Sequence, residues 1–362
     1  MKAWMLDPQT NRLELIEKAM PKPRRGGVTV RVQAAMVLSY MKELLAGARG
    51  HTFPSRPIVP GTNGIGVIEA IGEGVYHAKP GQRVSIHPHL VADERFADPA
   101  QLLMGHPARF GTGAESLQTD WVDGTFAEYV EWPASLVTPI DRLGEMSAIQ
   151  ALGLGKAVVP YGGLLRVGVQ AGEVVAINGA SGFYGSAGVL VALAMGASRV
   201  LVVGRDAKVL GEVAHAGGDR AIPVVLRGDA SDSATLRKTA GGAVDAALDM
   251  IGADRSASTA AVLRSLRRGG RLAMMGSCPE PLSIGFGEML ANDWLIVGQF
   301  MYPKDAPGRL VRLAASGQLP LNAIKPRAYA LADLPQAMDE ARAMRGLRPL
   351  PAASPPARTR GV

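Results

Sequence analysis

The residues with the clearest chemical meaning form a glycine-rich segment in the middle of the chain. It directly follows a short apolar run at residues 174–177 and precedes a longer apolar run that begins near Ser186. A strand, a glycine turn and a helix in this order are the fingerprint of a dinucleotide site. Glycines let the backbone approach a pyrophosphate, and the helix N-terminus offers it free N–H groups. The candidate cofactor-binding residues are Gly179, Ala180, Ser181, Gly182, Phe183, Tyr184 and Gly185.

The end of the next strand bears on which dinucleotide binds. An NAD site usually has Asp or Glu about 20 residues past the turn, where it hydrogen-bonds the ribose 2′-hydroxyl. Here Gly204 stands at that position and Arg205 follows it. An arginine pairs with the 2′-phosphate that a carboxylate would repel, so the sequence favours NADP(H). Asp206 would serve as the NAD acid if the strand register were shifted, and NAD(H) stays the alternative.

Other chemically capable side chains are few. Three histidines (His87, His89 and His106) lie in a loop-like stretch at residues 87–123, but no third metal ligand stands at a persuasive spacing from the His-x-His pair. The single cysteine, Cys278, excludes an intramolecular disulfide and a cysteine-rich metal site. We therefore expect no catalytic metal.

These residues need elements to position them, and the hydrophobic pattern changes near residue 147. Before it, short alternating strands and turns predominate, as at residues 28–32 and 64–72. After it, apolar strands alternate with helical segments, which predicts an α/β fold with a doubly wound parallel sheet. These later strands lie at residues 174–177, 200–203, 244–249 and 272–275. Gly276 follows the last of them and is a further candidate cofactor-binding residue, near the nicotinamide.

Composition excludes several other classes of protein. The net charge is +7, but the basic residues are scattered and aromatic residues make up only 5%, so we expect no nucleic-acid partner. No uninterrupted apolar run reaches bilayer length, and the N-terminus does not resemble a secretory signal. We expect a cytoplasmic protein that acts on a small molecule and binds no membrane.

Further motifs follow the same order as in a known family, at residues 58–61, 64–68, 75–84, 124–133, 269–272 and 298–300. Together with the glycine turn they resemble the medium-chain dehydrogenase/reductase superfamily, over nearly the whole length of this chain. The sequence Gly-Ala-Ser-Gly-x-x-Gly-Ser-Ala is closer to the quinone oxidoreductase branch than to typical zinc alcohol dehydrogenases.

The resemblance implies a GroES-like, β-rich catalytic domain formed by residues 1–145 and 317–346. It implies a Rossmann NADP(H)-binding domain at residues 146–316, with the active site in the cleft between the two. The Pro-rich end at residues 347–362 is predicted to be a disordered tail. The resemblance also implies a homodimer, formed by edge-to-edge pairing of the Rossmann sheet near residues 284–297.

Zinc ligands of the superfamily are missing from their expected positions. Leu38 stands where zinc alcohol dehydrogenases have a cysteine, Thr62 and Asn63 replace a His-Glu pair, and the remaining ligand would fall near Gly155. Leucine and glycine side chains cannot bind zinc, and Thr or Asn alone are poor ligands. The resemblance therefore implies a zinc-independent enzyme.

Without zinc, hydrogen-bond donors must stabilise the charge that develops on the acceptor oxygen. The candidates are Tyr40 as donor or acid, with Ser39, Thr62 and Asn63 orienting substrate or nicotinamide ribose, although Tyr40 packed in the core is an equal alternative. The favoured function is NADPH-dependent reduction of quinones or α,β-unsaturated carbonyl compounds. A zinc-free alcohol dehydrogenase or ketone reductase is the runner-up, and an NADPH-binding redox sensor or structural protein without turnover is a third hypothesis.

Overall fold

The structure is a computed structural model that describes residues 1–47, 53–252, 256–347 and 350–354. The chain forms two compact units. The first comprises Met1–Gly155 and Lys325–Ala343 together with the described part of Pro349–Val362, and the second comprises Lys156–Ile324 and Met344–Arg348 up to residue 347. Each unit has its own sheet and its own buried core.

The strands are, in chain order, β1 (Lys2–Asp7), β2 (Arg12–Glu17), β3 (Gly27–Met36), β4 (Gly64–Ile71), β5 (Arg83–Ile86), β6 (His89–Val91), β7 (Gln101–Leu103), β8 (Arg109–Phe110), β9 (Tyr129–Pro133), β10 (Val137–Pro139), β11 (Val174–Asn178), β12 (Arg199–Gly204), β13 (Ala221–Val225), β14 (Val244–Asp249), β15 (Leu266–Met274), β16 (Leu295–Gly298), β17 (Pro326–Ala330) and β18 (Leu350–Ser354). The α-helices are α1 (Met41–Leu45), α2 (Ala114–Asp120), α3 (Ala148–Ala151), α4 (Gly153–Arg166), α5 (Phe183–Ala194), α6 (Ala207–Gly217), α7 (Asp232–Ala240), α8 (Ser256–Ser265), α9 (Phe286–Asn292), α10 (Ala306–Ala315) and α11 (Leu334–Ala343).

The first unit is built on a seven-stranded sheet in the order β10-β5-β4-β3-β18-β17, with β9 also paired to β3. The central strand β3 buries Val28, Val30 and Val32, but it also buries Thr29 on the other face, so the half-buried alternation expected from the sequence holds only in part. The predicted close approach in β4 is present at Gly66, because a Cβ there would lie 2.4 Å from the Arg31 carbonyl oxygen. This β-rich unit agrees with the expected GroES-like fold.

Residues 87–123 are more ordered than the predicted loop. They contain the three-stranded antiparallel sheet β6-β7-β8 and helix α2, whose elements are too short for hydrophobic periodicity to reveal. The contacts of two of the histidines lie within this stretch of the chain. His89 Nε2 lies 3.0 Å from Gln101 Oε1, and His106 Nδ1 accepts the Ala108 N–H. Burial lowers the pKa of His87 to about 3, which keeps its ring neutral.

The second unit is a six-stranded parallel sheet in the order β13-β12-β11-β14-β15-β16. The order reverses between β11 and β14, which is the doubly wound arrangement predicted from the alternating strands and helices. The central strands read as continuous apolar runs because helices cover both faces of such a sheet. Alongside them, α8 contributes Val262 and Leu263 to the buried core.

One helical segment, Ala148–Arg166, is long and apolar enough to cross a bilayer, with a mean hydropathy of 1.2. The sequence showed no uninterrupted apolar run of that length. The segment reaches it because α3 and α4 follow each other with only Leu152 between them. Since 72% of the segment is buried inside the protein, its apolar composition is that of a core helix.

The predicted disordered tail is ordered in part. Residues 350–354 form β18, which pairs in parallel with β17 and antiparallel with β3. The Pro- and Ala-rich composition of this segment predicts disorder, because composition takes no account of backbone pairing. Hydrogen bonds to strands on both sides stabilise the segment instead. Residues 348, 349 and 355–362 of the predicted tail lie outside the described residues.

Candidate functional site

The glycine turn leaves the carboxyl end of β11, at the centre of the parallel sheet. Gly179 has a φ of +79°, a left-handed conformation that favours glycine. The Ala180 N–H donates to the Val203 carbonyl, and the Gly182 N–H donates to the Gly179 carbonyl at 2.8 Å. The chain then enters α5 at Phe183 with no side-chain cap. The first N–H groups of α5 therefore stay available to an anion at the topological switch point.

Gly185, in the first turn of α5, lets the helix pack directly on the turn. A Cβ on Gly185 would lie 2.2 Å from the Gly179 carbonyl oxygen and 3.1 Å from the Ala180 Cα. Backbone atoms cannot move aside as the end of a side chain can. The helix N-terminus and the turn are thus held close together by the absence of a side chain at this position.

The end of β12 lies where the sequence places the ribose of the dinucleotide. β12 ends at Gly204, and Arg205 follows as an exposed residue. A Cβ on Gly204 would lie 3.3 Å from Ser181 Oγ, so the strand end faces the glycine turn. Asp206 is the N-cap of α6, and its carboxylate accepts the Val209 N–H at 3.1 Å.

A buried carboxylate organises the loops beside the turn, and the sequence did not single it out. Asp249 ends β14 and accepts the Asn178 amide at 2.9 Å, the Thr259 hydroxyl at 2.5 Å and the Ile251 N–H at 3.0 Å. Burial raises the pKa of Asp249, while these donors act in the opposite direction. Its carbonyl also accepts the N–H of Gly276 at 3.1 Å. One residue thus fixes the ends of β11, β14 and β15.

The other candidate residues lie in the first unit. Asn63 directly precedes β4, and its carbonyl accepts the Met36 N–H at the end of β3. Thr62 and Asn63 are buried, and the Thr62 hydroxyl donates to Asn63 Oδ1 at 3.1 Å. A Cβ on Gly155 would lie 3.1 Å from the Asn63 Cβ. The fold therefore brings Thr62, Asn63 and Gly155 together.

Ser39 and Tyr40 follow Met36 by a few residues, in the connection between β3 and α1. Tyr40 is the N-cap residue of α1, which it caps without a side-chain hydrogen bond, and its backbone carbonyl accepts the Leu44 N–H. Both Ser39 and Tyr40 are half-buried, whereas their neighbour Leu38 is 2% exposed. Their side chains thus retain some access to solvent at the end of β3.

These residues do not fit a zinc ion. The side chains of Leu38 and Gly155 have no donor atom, and a Cβ at residue 155 would lie within 3.1 Å of the Asn63 side chain, which is tighter than an ordinary contact. Thr62 and Asn63 hydrogen-bond each other and are neutral oxygen or amide groups, which zinc sites in proteins rarely use. The glycine turn, in contrast, has the open helix N-terminus and the close backbone approach that a dinucleotide needs.

Known proteins with similar sequences were found for both units. A family model described as alcohol dehydrogenase GroES-like domain matches residues 24–142, and one described as zinc-binding dehydrogenase matches residues 185–316. An alcohol dehydrogenase from Geobacillus stearothermophilus is 31% identical over 329 residues, covering 88% of this chain and 90% of that protein. An acryloyl-coenzyme A reductase from Metallosphaera sedula is 28% identical, with the same coverage.

Solved structures show the same fold. The alcohol dehydrogenase TADH from Thermus sp. ATN1 superposes with a TM-score of 0.80 at 23% identity, covering 98% of this chain and all of that one. Fold, glycine turn and sequence relatives together define a nicotinamide-dependent oxidoreductase. The chain belongs to the medium-chain dehydrogenase/reductase superfamily.

Proposed function

We propose that the protein is a zinc-independent, NADPH-dependent reductase of quinones or α,β-unsaturated carbonyl compounds. The observation that carries the proposal is that Leu38, Thr62, Asn63 and Gly155 stand at the positions of the superfamily's zinc ligands, in a chain that keeps an intact dinucleotide turn. Reduction of a C=C bond conjugated to a carbonyl needs no Lewis acid, because the charge develops on an enolate oxygen that a hydrogen-bond donor can stabilise. The relative named as an acryloyl-coenzyme A reductase supports this class of reaction.

A bound dinucleotide would supply the hydride, and the chain's own residues would orient the substrate and stabilise the charge on its oxygen. In this proposal the Tyr40 hydroxyl donates a hydrogen bond to the acceptor oxygen, while Ser39, Thr62 and Asn63 orient substrate or nicotinamide ribose. The half-buried position of Tyr40 at the start of α1 supports this role, since its side chain keeps access to solvent. A proton from solvent completes the product at the α-carbon.

A zinc-free alcohol dehydrogenase is the second candidate function. It is favoured by the relatives named alcohol dehydrogenases, including the one that is 31% identical. Turnover of 2-alkenals with NADPH, but not of saturated alcohols with NADP, would select the first proposal over this one. Dinucleotide binding without turnover of quinones, enones, aldehydes or ketones would instead indicate a sensor or structural role.

Substitution of Tyr40 by phenylalanine tests the proposed donor. We expect kcat for a 2-alkenal to fall by about 100-fold, because one hydrogen bond to a developing oxyanion contributes about that factor, while the Kd for NADPH stays unchanged. Helix α1 should persist, since Tyr40 caps it through its backbone. Tyr76→Phe is the matched control, as Tyr76 is 94% exposed in the same unit. An unchanged kcat in Tyr40→Phe would remove Tyr40 from the mechanism.

The preference for NADP(H) over NAD(H) is proposed from the end of β12. Gly204 offers no carboxylate to a ribose 2′-hydroxyl, Arg205 is exposed beside it, and Asp206 is engaged as the cap of α6. A 2′-phosphate would thus meet a guanidinium at this strand end, while the exposed Asp206 carboxylate is turned to the N-terminus of α6.

The double variant Gly204→Asp, Arg205→Ala is expected to lose this preference. The ratio of the two Kd values should change by roughly 10- to 150-fold, the equivalent of about 1.5–3 kcal/mol for a charge-assisted contact. Arg205→Lys is the control and should retain most of the preference, because it keeps the positive charge. Fluorescence titration with NADPH and NADH measures both constants. An unaltered ratio of the Kd values for NADPH and NADH would contradict the proposed contact between Arg205 and the 2′-phosphate.

We also propose a homodimer formed through the second unit. β16 is an edge strand of the parallel sheet, and apolar side chains beside it are exposed, among them Phe286 at 97% and Leu290 at 79%. Exposed apolar residues beside an unpaired strand edge are typical of an interface. Light scattering should give twice the chain mass of 37.9 kDa, and a monomeric mass would contradict the dimer.

A further inference from the structure

A lysine is buried within the second unit, close to the glycine turn. Lys156 is 1% exposed and lies in the apolar helix α4. Its ammonium donates to the Gly346 carbonyl at 2.7 Å and lies 4.8 Å from the centre of the Phe183 ring. Among the residues that the structure describes, no carboxylate forms an ion pair with it. A buried ammonium without a counter-charge is costly, so the lysine loses its proton readily unless an anion lies nearby.

The Gly346 carbonyl is the point through which Lys156 reaches the turn. This oxygen also accepts the Ser186 hydroxyl at 2.7 Å, and the Gly346 N–H donates to the Ser181 carbonyl at 2.8 Å. Gly346 has a φ of +66°, and a Cβ there would lie 2.9 Å from Val209 Cγ1 of α6. The residue is thus tied on one side to Lys156 and on the other to the glycine turn.

The charged groups around Lys156 do not neutralise it. Helix α5 carries no charged side chain, and the nearest charged residue on the Gly346 segment is another cation, Arg345, whose guanidinium donates to the Met344 carbonyl. Helix α6, which packs against Gly346, carries Asp206 as its cap and the exposed residues Lys208, Glu212 and His215. Arg166 lies at the opposite end of α4. Burial alone lowers the pKa of Lys156, to about 7.

We propose that Lys156 is a positioning residue of the dinucleotide site. It holds the glycine turn through Gly346, and the negative charge of a bound pyrophosphate balances its buried ammonium. Binding of the dinucleotide therefore takes up a proton at Lys156. The inference rests on the proposed dinucleotide function. Phe183, which the ammonium faces, is the first residue of α5, and the N-terminus of that helix receives the pyrophosphate. Positive charge on Lys156 therefore favours the bound state.

The direction of the pH dependence follows from the free protein. Below pH 7 Lys156 is already protonated, and binding requires no proton. Above pH 7 the free protein has lost the proton, while the anionic ligand raises the pKa in the complex, so binding takes up a proton. The Kd should therefore rise with pH, at most about tenfold per pH unit, up to the pKa of the complex.

The test is the Kd for NADPH and for NADH between pH 7 and pH 9, a range in which the 2′-phosphate does not titrate. Calorimetry in two buffers of different ionisation enthalpy counts the protons taken up. Lys156→Met keeps the apolar stem and removes the charge, and it should bind more weakly at pH 7 with a Kd that no longer depends on pH. Lys238→Met, an exposed lysine on α7, is the matched control and should retain the wild-type dependence.

The outcomes separate this inference from the proposed function. Wild-type protein that binds neither dinucleotide at any pH would contradict both. Binding with a flat Kd and no proton uptake, or an unchanged pH dependence in Lys156→Met, would overturn the role of Lys156 alone. If Lys156→Met fails to fold, the wild type is compared with Ser186→Ala, which removes the neutral donor to the Gly346 carbonyl. The Kd of Ser186→Ala should depend on pH as in the wild type, with the same proton uptake, and loss of either would contradict the role of Lys156.

Discussion

Replacement of Gly185 by alanine is expected to raise the Kd for NADPH by about 100-fold or more. The added Cβ would meet the Gly179 carbonyl oxygen at 2.2 Å, and relief requires the turn and the start of α5 to separate. Backbone displacement of this kind costs about 1–3 kcal/mol and removes the N–H groups from the positions where they meet a pyrophosphate. The substitution therefore acts on binding through the geometry of the main chain.

Gly211→Ala is the matched control for this variant. Gly211 lies inside α6, and a Cβ there has nothing within 4 Å. This change should leave the Kd unaltered and stabilise the protein by about 0.5–1 kcal/mol, since alanine is the better helix former. Fluorescence titration and thermal unfolding of both variants give the comparison. A Gly185→Ala variant that binds NADPH like the wild type would show that the turn is not the pyrophosphate site.

Replacement of Asp249 by alanine is expected to lower the free energy of unfolding by about 3 kcal/mol, because three buried donors lose their acceptor. The donors are the Asn178 amide, the Thr259 hydroxyl and the Ile251 N–H. Since Asn178 directly precedes the glycine turn, the Kd for NADPH should rise as well. Asp219→Ala, at an exposed position, is the control and should change neither quantity.

The contribution of Asp249 to the free energy of unfolding should depend on pH. Burial raises the pKa of Asp249 in the folded protein above its usual value of 3.8. The folded state therefore favours the protonated carboxyl, so its contribution to stability is largest in acid. It declines as the pH rises from about 4 through the folded pKa. Denaturation of wild type and Asp249→Ala from pH 4 to pH 8 measures this, and a difference that grows with pH would contradict it.

The order of strand, glycine turn and helix could be predicted from the sequence because its information is local. A strand, three glycines and a helix occupy neighbouring positions, and each glycine has a steric reason that the structure shows. The doubly wound sheet followed from the same alternation. Residues 350–354 were assigned to a tail because their pairing partners, β3 and β17, are set by long-range contacts that composition does not contain.

The positioning residues were missed for a related reason. Asp249 reads as the last residue of an apolar strand, and its role appears only once Asn178 and Thr259 are brought beside it. Lys156 did carry a signal, since it is the single lysine of the apolar segment Ala148–Arg166, and lysine is rarely buried. Its partner Gly346 lies 190 residues away in the chain, and no local pattern connects the two.

The central claim is that this chain reduces an activated C=C bond with NADPH and without zinc. The most direct measurement combines metal analysis of unchelated protein with the rate of 2-alkenal reduction by NADPH before and after chelation. We predict sub-stoichiometric zinc and a rate that chelation does not change. Near-stoichiometric zinc, with activity lost on chelation and restored by zinc, would contradict the claim.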